Sequence, residues 1–141
     1  MQPLPGQFDG FAGQVRYLEL PAVGETRGLL VEFDYRSLPF APQRTFLIKD
    51  VPAGTVRGGH AHKACKQVLI CLRGRVTIEL ALENHRARAE LDRPTLALYL
   101  GAGVWARQTY ETSDTELLAF ASLPYDPSSY ISDTDRGRNS E

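Results

Sequence analysis

Apolar residues alternate with polar ones, or gather into short β-rich runs, at Arg16–Leu20, Gly28–Tyr35, Thr45–Lys49, Gln67–Leu72, Arg75–Leu82, Thr95–Leu100, Val104–Tyr110 and Glu116–Ala121. A period of two places successive side chains on opposite faces, the mark of a half-buried strand. Turn-forming residues separate the runs: Pro39–Pro42, Pro52–Gly54, Gly58–Gly59, Glu83–Asn84, Gly101–Gly103 and Ser113–Asp114. No stretch of a dozen residues carries a helical stripe, so the pattern predicts an all-β chain folded as a sandwich or closed barrel. There is no internal repeat and no low-complexity tract.

The two ends depart from this rhythm. Residues 1–13, rich in proline and glycine, are read as an N-terminal arm or edge extension, and the polar residues 134–141 as a fraying tail. The 141 residues, 43% of them hydrophobic, suffice for one core and are too few for two ordinary domains, so residues 1–141 are read as a single domain. With 16 Lys+Arg against 17 Asp+Glu there is no field to gather nucleic acid or anionic lipid. No apolar run exceeds Val68–Leu72, far short of a membrane span, and the N-terminus shows neither a basic region nor an apolar signal core, so a cytoplasmic protein is expected. Cys65 and Cys71 fall in what reads as one strand. There they stand roughly 20 Å apart, too far for a disulfide, and are expected to be reduced core residues.

Candidate chemistry is concentrated in Gly54-Thr-Val-Arg57-Gly-Gly-His60-Ala-His62-Lys-Ala-Cys-Lys66-Gln67. Two histidines at i and i+2 of a strand share a face, so both imidazoles can enter one cavity, as metal ligands or as a proton shuttle. Gly58 and Gly59 let the backbone turn sharply or approach a ligand, and Arg57 and Arg44 offer bidentate guanidinium contacts to a diphosphate.

The spacing of Gly54, His60, His62 and Gly74 resembles the first cupin motif, and Gly101-Ala-Gly103-Val-Trp105-Ala106 resembles the second. Two of the four cupin ligand positions have changed: Gln67 stands at the acidic one and Ala106 at the last histidine. An amide and a methyl group do not replace a carboxylate and an imidazole as ligands, so a site without metal is expected. Paired imidazoles in a barrel mouth then suit general acid–base chemistry beside a carbonyl.

Five separated stretches, in order, resemble the sugar 3,4-ketoisomerases that act on dTDP-4-keto-6-deoxyglucose. They are Arg44-Thr-Phe46, Val56-Arg-Gly-Gly-His-Ala-His-Lys63, Gln67-Val-Leu-Ile-Cys-Leu-Arg-Gly74, Leu98-Tyr-Leu-Gly-Ala-Gly-Val-Trp105 and Tyr125-Asp-Pro-Ser-Ser-Tyr130-Ile-Ser-Asp133. The likeness runs from about Thr26 to Asp135. It implies a single-domain cupin, a jelly-roll type β-barrel, working without cofactor on a dTDP-linked keto sugar, as a homodimer with strands exchanged between subunits. It maps the catalytic pair onto His60 and His62; His60 is expected to handle the carbon-bound proton and His62 the oxygens, with the reverse assignment as the alternative. It places Arg27, Arg44, Phe46, Arg57, Gln67, Trp105, Ala106 and Tyr130 around the substrate, with Trp105 and Tyr99 as candidates to stack on thymine. Phe46, where a tyrosine is common, and Ala106, where a polar or cationic residue is common, depart from the pattern and leave the C4 stereochemistry open. Rival readings are a sugar nucleotide 3,5-epimerase, a metal-dependent cupin oxygenase and a non-catalytic sugar-binding cupin.

Overall fold

Twelve β-strands account for most of residues 6–132, which are the residues described by the computed structural model. In chain order they are β1 (Val15–Glu19), β2 (Ala22–Glu25), β3 (Gly28–Val31), β4 (Arg44–Ile48), β5 (Thr55–His62) and β6 (Gln67–Arg73). There follow β7 (Val76–Leu82), β8 (His85–Leu91), β9 (Leu96–Leu100), β10 (Trp105–Tyr110), β11 (Glu116–Ala121) and β12 (Tyr130–Ser132). Two five-stranded antiparallel sheets, ordered β1-β9-β6-β11-β4 and β12-β5-β10-β7-β8, face each other as a jelly roll, and β2 and β3 form a separate hairpin. The all-β expectation therefore holds. Among the described residues no helix is long and apolar enough to cross a membrane.

Alternation decides what the interior receives. Leu69 and Cys71 of β6, Ile78 and Leu80 of β7, Leu98 and Leu100 of β9, and Ala106 and Tyr110 of β10 point between the sheets into one cluster. Burying a leucine or isoleucine there contributes about 1.5–3 kcal/mol. β6 is buried on both faces, because residues 31–40 cross its outer side and lay Val31, Phe33, Leu38 and Phe40 against Val68, Ile70, Tyr99 and Phe120. That second covering is why the β6 sequence reads as an unbroken apolar run and not as an alternation.

Several expectations are corrected by the chain's local physics. The run read as Gly28–Tyr35 is a strand only to Val31. Asp34 then accepts the Arg36 N–H at 3.0 Å and starts a 3₁₀ turn over Tyr35–Ser37. Cys65 does not share a strand with Cys71; it lies in the short connection between β5 and β6. Both thiols are buried and unpaired, and burial pushes Cys71 up to about 11. The part of the N-terminal arm that is described docks on the barrel end, with Phe11 1% exposed between Phe8 and His85. Gly10 makes that docking possible: its φ is +88°, and a β-carbon there would stand 2.3 Å from the His85 ring. Residues 1–5 of the arm and the tail 134–141 lie outside the described residues.

Candidate active site

β5 enters the site through a distortion that only glycine permits. Gly58 and Gly59 both have positive φ, 87° and 85°, and a β-carbon on Gly58 would stand 3.0 Å from the Ala106 carbonyl oxygen. Opposite them the register of β10 slips between Ala106 and Arg107, a β-bulge that bends the strand. Beyond it β5 resumes its pleat. His60 and His62 turn inward, while Ala61 between them turns outward against Ala81, Trp105 and Ile131.

The two imidazoles lie 5.4 Å apart, centroid to centroid, with their planes at 77°. β12 pairs with β5 and brings Tyr130 opposite His62. The phenol ring stacks on His60 at 4.5 Å and 8°, and meets His62 edge-on at 4.5 Å and 81°. One aromatic ring thus braces both histidines. His62 is pushed down to about 4, first by burial and then by its electrostatic interactions with His60 and with Arg44. At neutral pH it is an uncharged imidazole, able to accept a proton at one nitrogen and donate from the other.

Arg44 opens β4, its guanidinium lying over the rings of Phe46 at 5.0 Å and Tyr125 at 5.5 Å. Its Nε is buried with no hydrogen-bond partner. On the opposite wall, Ala106 and Gln108 face inward from β10. The fully buried Tyr110 donates its hydroxyl to Gln108 Oε1 at 2.9 Å. Burial pushes that phenol up to about 12, with Arg57 beside it pulling the other way.

These groups surround a cavity of about 270 Å³, near the lower end of small-ligand sites. Of the residues singled out in the sequence, His60, His62, Phe46, Arg57, Gln67, Ala106 and Tyr130 line it. Arg44 lines an adjoining groove of about 380 Å³ that shares His62 and Tyr130 with the cavity. Gln67 and Ala106 occupy the changed ligand positions. Among the described residues, no three His, Cys, Asp or Glu side chains converge as a metal site would require.

Two further expected substrate contacts lie outside both the cavity and the groove. Trp105 precedes Ala106 on β10 and so faces outward, stacked beneath the Arg107 guanidinium at 5.4 Å. Arg27 sits on the hairpin of β2 and β3, with its side chain 87% exposed and paired to Glu25. Tyr99, proposed with Trp105 as a stacking face, belongs to the outer cluster beneath Phe40 and Arg16. Conversely, Gln108, outside the motifs read in the sequence, lines the cavity, with the buried Tyr110 behind it. Their signal is their even spacing from Ala106 along one strand.

A jelly-roll barrel with a His-x-His pair turned into its mouth defines a cupin, here one whose pair sits among aromatic and amide groups. The family described as "WxcM-like, C-terminal" (FdtA) matches residues 13–140, and the chain belongs to it. A curated relative, the TDP-4-oxo-6-deoxy-alpha-D-glucose-3,4-oxoisomerase of Aneurinibacillus thermoaerophilus, is 36% identical over 108 residues, covering 76% of this chain and 78% of the relative. The crystal structure of a sugar 3,4-ketoisomerase from Thermoanaerobacterium thermosaccharolyticum in complex with TDP superposes with a TM-score of 0.82. It is 32% identical and covers 89% of this chain and 97% of its own. A His-to-Asn mutant of that ketoisomerase, in complex with TDP-4-keto-6-deoxyglucose, gives the same TM-score at 31% identity, covering 92% of this chain and 99% of its own.

Proposed function

We propose that this protein is a sugar nucleotide 3,4-ketoisomerase that converts TDP-4-keto-6-deoxyglucose to a 3-keto isomer. The observation that carries the reading is the pair of inward-facing imidazoles, braced by one phenol ring, in a chain belonging to that family. The reaction needs no external oxidant. The C4 ketone acidifies the C3 hydrogen, and a base removes that proton while the C–H electrons form a C3=C4 double bond. The C4 carbonyl oxygen takes up the negative charge, giving an enediolate whose C3 oxygen still carries its hydrogen. A proton then passes from the C3 hydroxyl to the C4 oxygen, the C3 oxygen becomes the carbonyl, and C4 takes up a proton. His60 serves the carbon-bound protons and His62 the oxygens; a neutral imidazole both accepts and returns a proton, which suits the oxygen-to-oxygen step.

Arg57, at the cavity rim, and Arg44, with its unpartnered Nε, suit the diphosphate. Val23, Leu29 and Leu30, all exposed on the hairpin, suit a homodimer in which β2 and β3 cross onto a second copy and carry Arg27 with them. A cytoplasmic location accords with a nucleotide-linked substrate and with the free thiols of Cys65 and Cys71.

Proton NMR of the protein with TDP-4-keto-6-deoxyglucose in D₂O tests the reading. The expected result is a 3-keto product with deuterium at C4, its couplings giving the C4 configuration. Exchange at C3 and C5 with inversion would make the protein an epimerase. An unchanged spectrum would leave it a binding protein or an enzyme of another substrate.

A further inference from the structure

Gln108 stands two residues beyond Ala106 on β10, so its amide enters the cavity that holds the imidazoles. An amide can turn either its carbonyl or its NH₂ to a ligand, and what it bonds behind decides which. Behind Gln108 lies Tyr110, 0% exposed, with its hydroxyl 2.9 Å from Gln108 Oε1. The same hydroxyl is within hydrogen-bonding reach of Arg57.

The structure gives this chain one polarity, Tyr110 O–H donating to Gln108 Oε1. A guanidinium carries donors and no acceptor, so Arg57 meets the lone pairs of the Tyr110 oxygen. Tyr110, which burial keeps protonated to about pH 12, has a single hydrogen left to give, and it points at Gln108. The amide receives it on Oε1. Its NH₂ is then turned to the cavity, a donor pair that cannot be lost by titration.

We propose that Gln108 donates hydrogen bonds to the enediolate oxygens of the substrate, and that Tyr110 and Arg57 are positioning residues that fix the amide in its donating orientation. This rests on the ketoisomerase reading above. As the C3 proton leaves, negative charge accumulates on the C4 oxygen, and a fixed neutral donor facing that oxygen lowers the barrier without offering a competing base.

The test compares kcat, KM and TDP affinity in the wild type and in Gln108→Glu, Gln108→Leu, Tyr110→Phe and the Gln108→Glu/Tyr110→Phe pair. Gln108→Glu keeps the shape and removes the NH₂; it should lose on the order of 10²–10³ in kcat with TDP binding unchanged. Gln108→Leu repeats the measurement without an added charge. Tyr110→Phe keeps the buried ring and frees the amide to flip, so kcat falls less while KM stays. In the Gln108→Glu background, the same substitution should have no further effect on kcat, a non-additivity that a purely structural tyrosine would not produce. Wild-type turnover accompanied by undiminished kcat in both Gln108 variants, or additive losses in the pair, overturns the proposal. A wild type that leaves the keto sugar unchanged overturns the ketoisomerase reading and this one with it.

Discussion

The barrel interior and the hairpin of β2 and β3 are built from the same kind of sequence and end in opposite environments. Leu98 and Ile78 are 0% exposed between the sheets, whereas Val23, Leu29 and Leu30 are exposed by 61%, 54% and 67%. The difference is coverage. Each barrel strand meets a facing sheet, and β6 also receives the crossing segment of residues 31–40. The hairpin presents both of its faces to solvent, Val23 with its cross-strand partner Leu30 on one and Leu29 on the other. An isolated two-stranded hairpin is marginal in water, so apolar alternation here points to a covering surface beyond the described residues. The cavity, by contrast, is assembled from β4, β5, β6, β9, β10, β11 and β12 of one chain.

If chemistry resides in the barrel, the largest effects in the molecule belong to β5. His60→Asn and His62→Asn each keep the side-chain shape and remove a base, and turnover should fall by about 10²–10⁴ while TDP binding persists. Steady-state NMR assays of both variants decide this, and near-wild-type rates in both would remove the histidine pair from the mechanism. Next in size is the interior itself. Leu98→Ala empties a fully buried position in the central cluster and should lower unfolding stability by about 2–5 kcal/mol in urea titrations. A loss below about 1 kcal/mol would mean that the interior tolerates vacancies as loosely as the hairpin tolerates exposure.

The same contrast explains what could be read from the sequence. Strands whose inward residues are large announced themselves: β4, β6, β7, β9, β10 and β11 fall within a residue or so of the apolar runs. β8 did not, because its inward positions include Ala87 and Ala89 between charged neighbours, which gives a weak apolar signal. β12 is three residues long behind a 3₁₀ turn, too short for periodicity. At the site, the His-x-His spacing fixed two groups on one face, and the motif spacing drew in Gln67 and Ala106. Trp105 and Ala106 are adjacent on β10 and so face opposite ways, which puts Ala106 and not Trp105 on the cavity wall. Extending the phase from Ala106 to Gln108 and Tyr110 would have found the inner wall. The hairpin's direction, and with it the place of Arg27, depends on what covers it, and the chain's own pattern does not contain that.

A smaller effect separates the two regions by pH. His62 is held near 4 in the folded protein against 6.5 for an unperturbed imidazole, with burial the main cause. Between those values the unfolded chain binds a proton that the folded chain refuses. Stability from this group is therefore complete above about pH 6.5 and is lost as pH falls toward 4. Urea midpoints across that window should decline in the wild type and decline less in His62→Asn. An identical slope in the two would place the acid sensitivity elsewhere. Substitutions in the exposed hairpin should leave the slope as it is.

The hairpin prediction is the smallest in stability and the most direct test of the contrast. In Val23→Ser/Leu30→Ser the cross-strand pair loses its apolar surface without touching a barrel contact. At protein concentrations where the chain is monomeric, stability should therefore change by no more than about 0.5 kcal/mol. What should change is association. A wild type that sediments as a dimer and a variant that sediments as a monomer, with unaltered far-ultraviolet circular dichroism, would show that these residues are buried in a second copy. A wild type that stays monomeric at every concentration would deny the hairpin that partner. Equal association of variant and wild type would move the interface away from this face. A monomeric variant that still turns over substrate would locate the whole catalytic apparatus within one barrel; a monomeric and inactive one would make a hairpin residue from the second copy, with Arg27 the charged candidate, part of the working site.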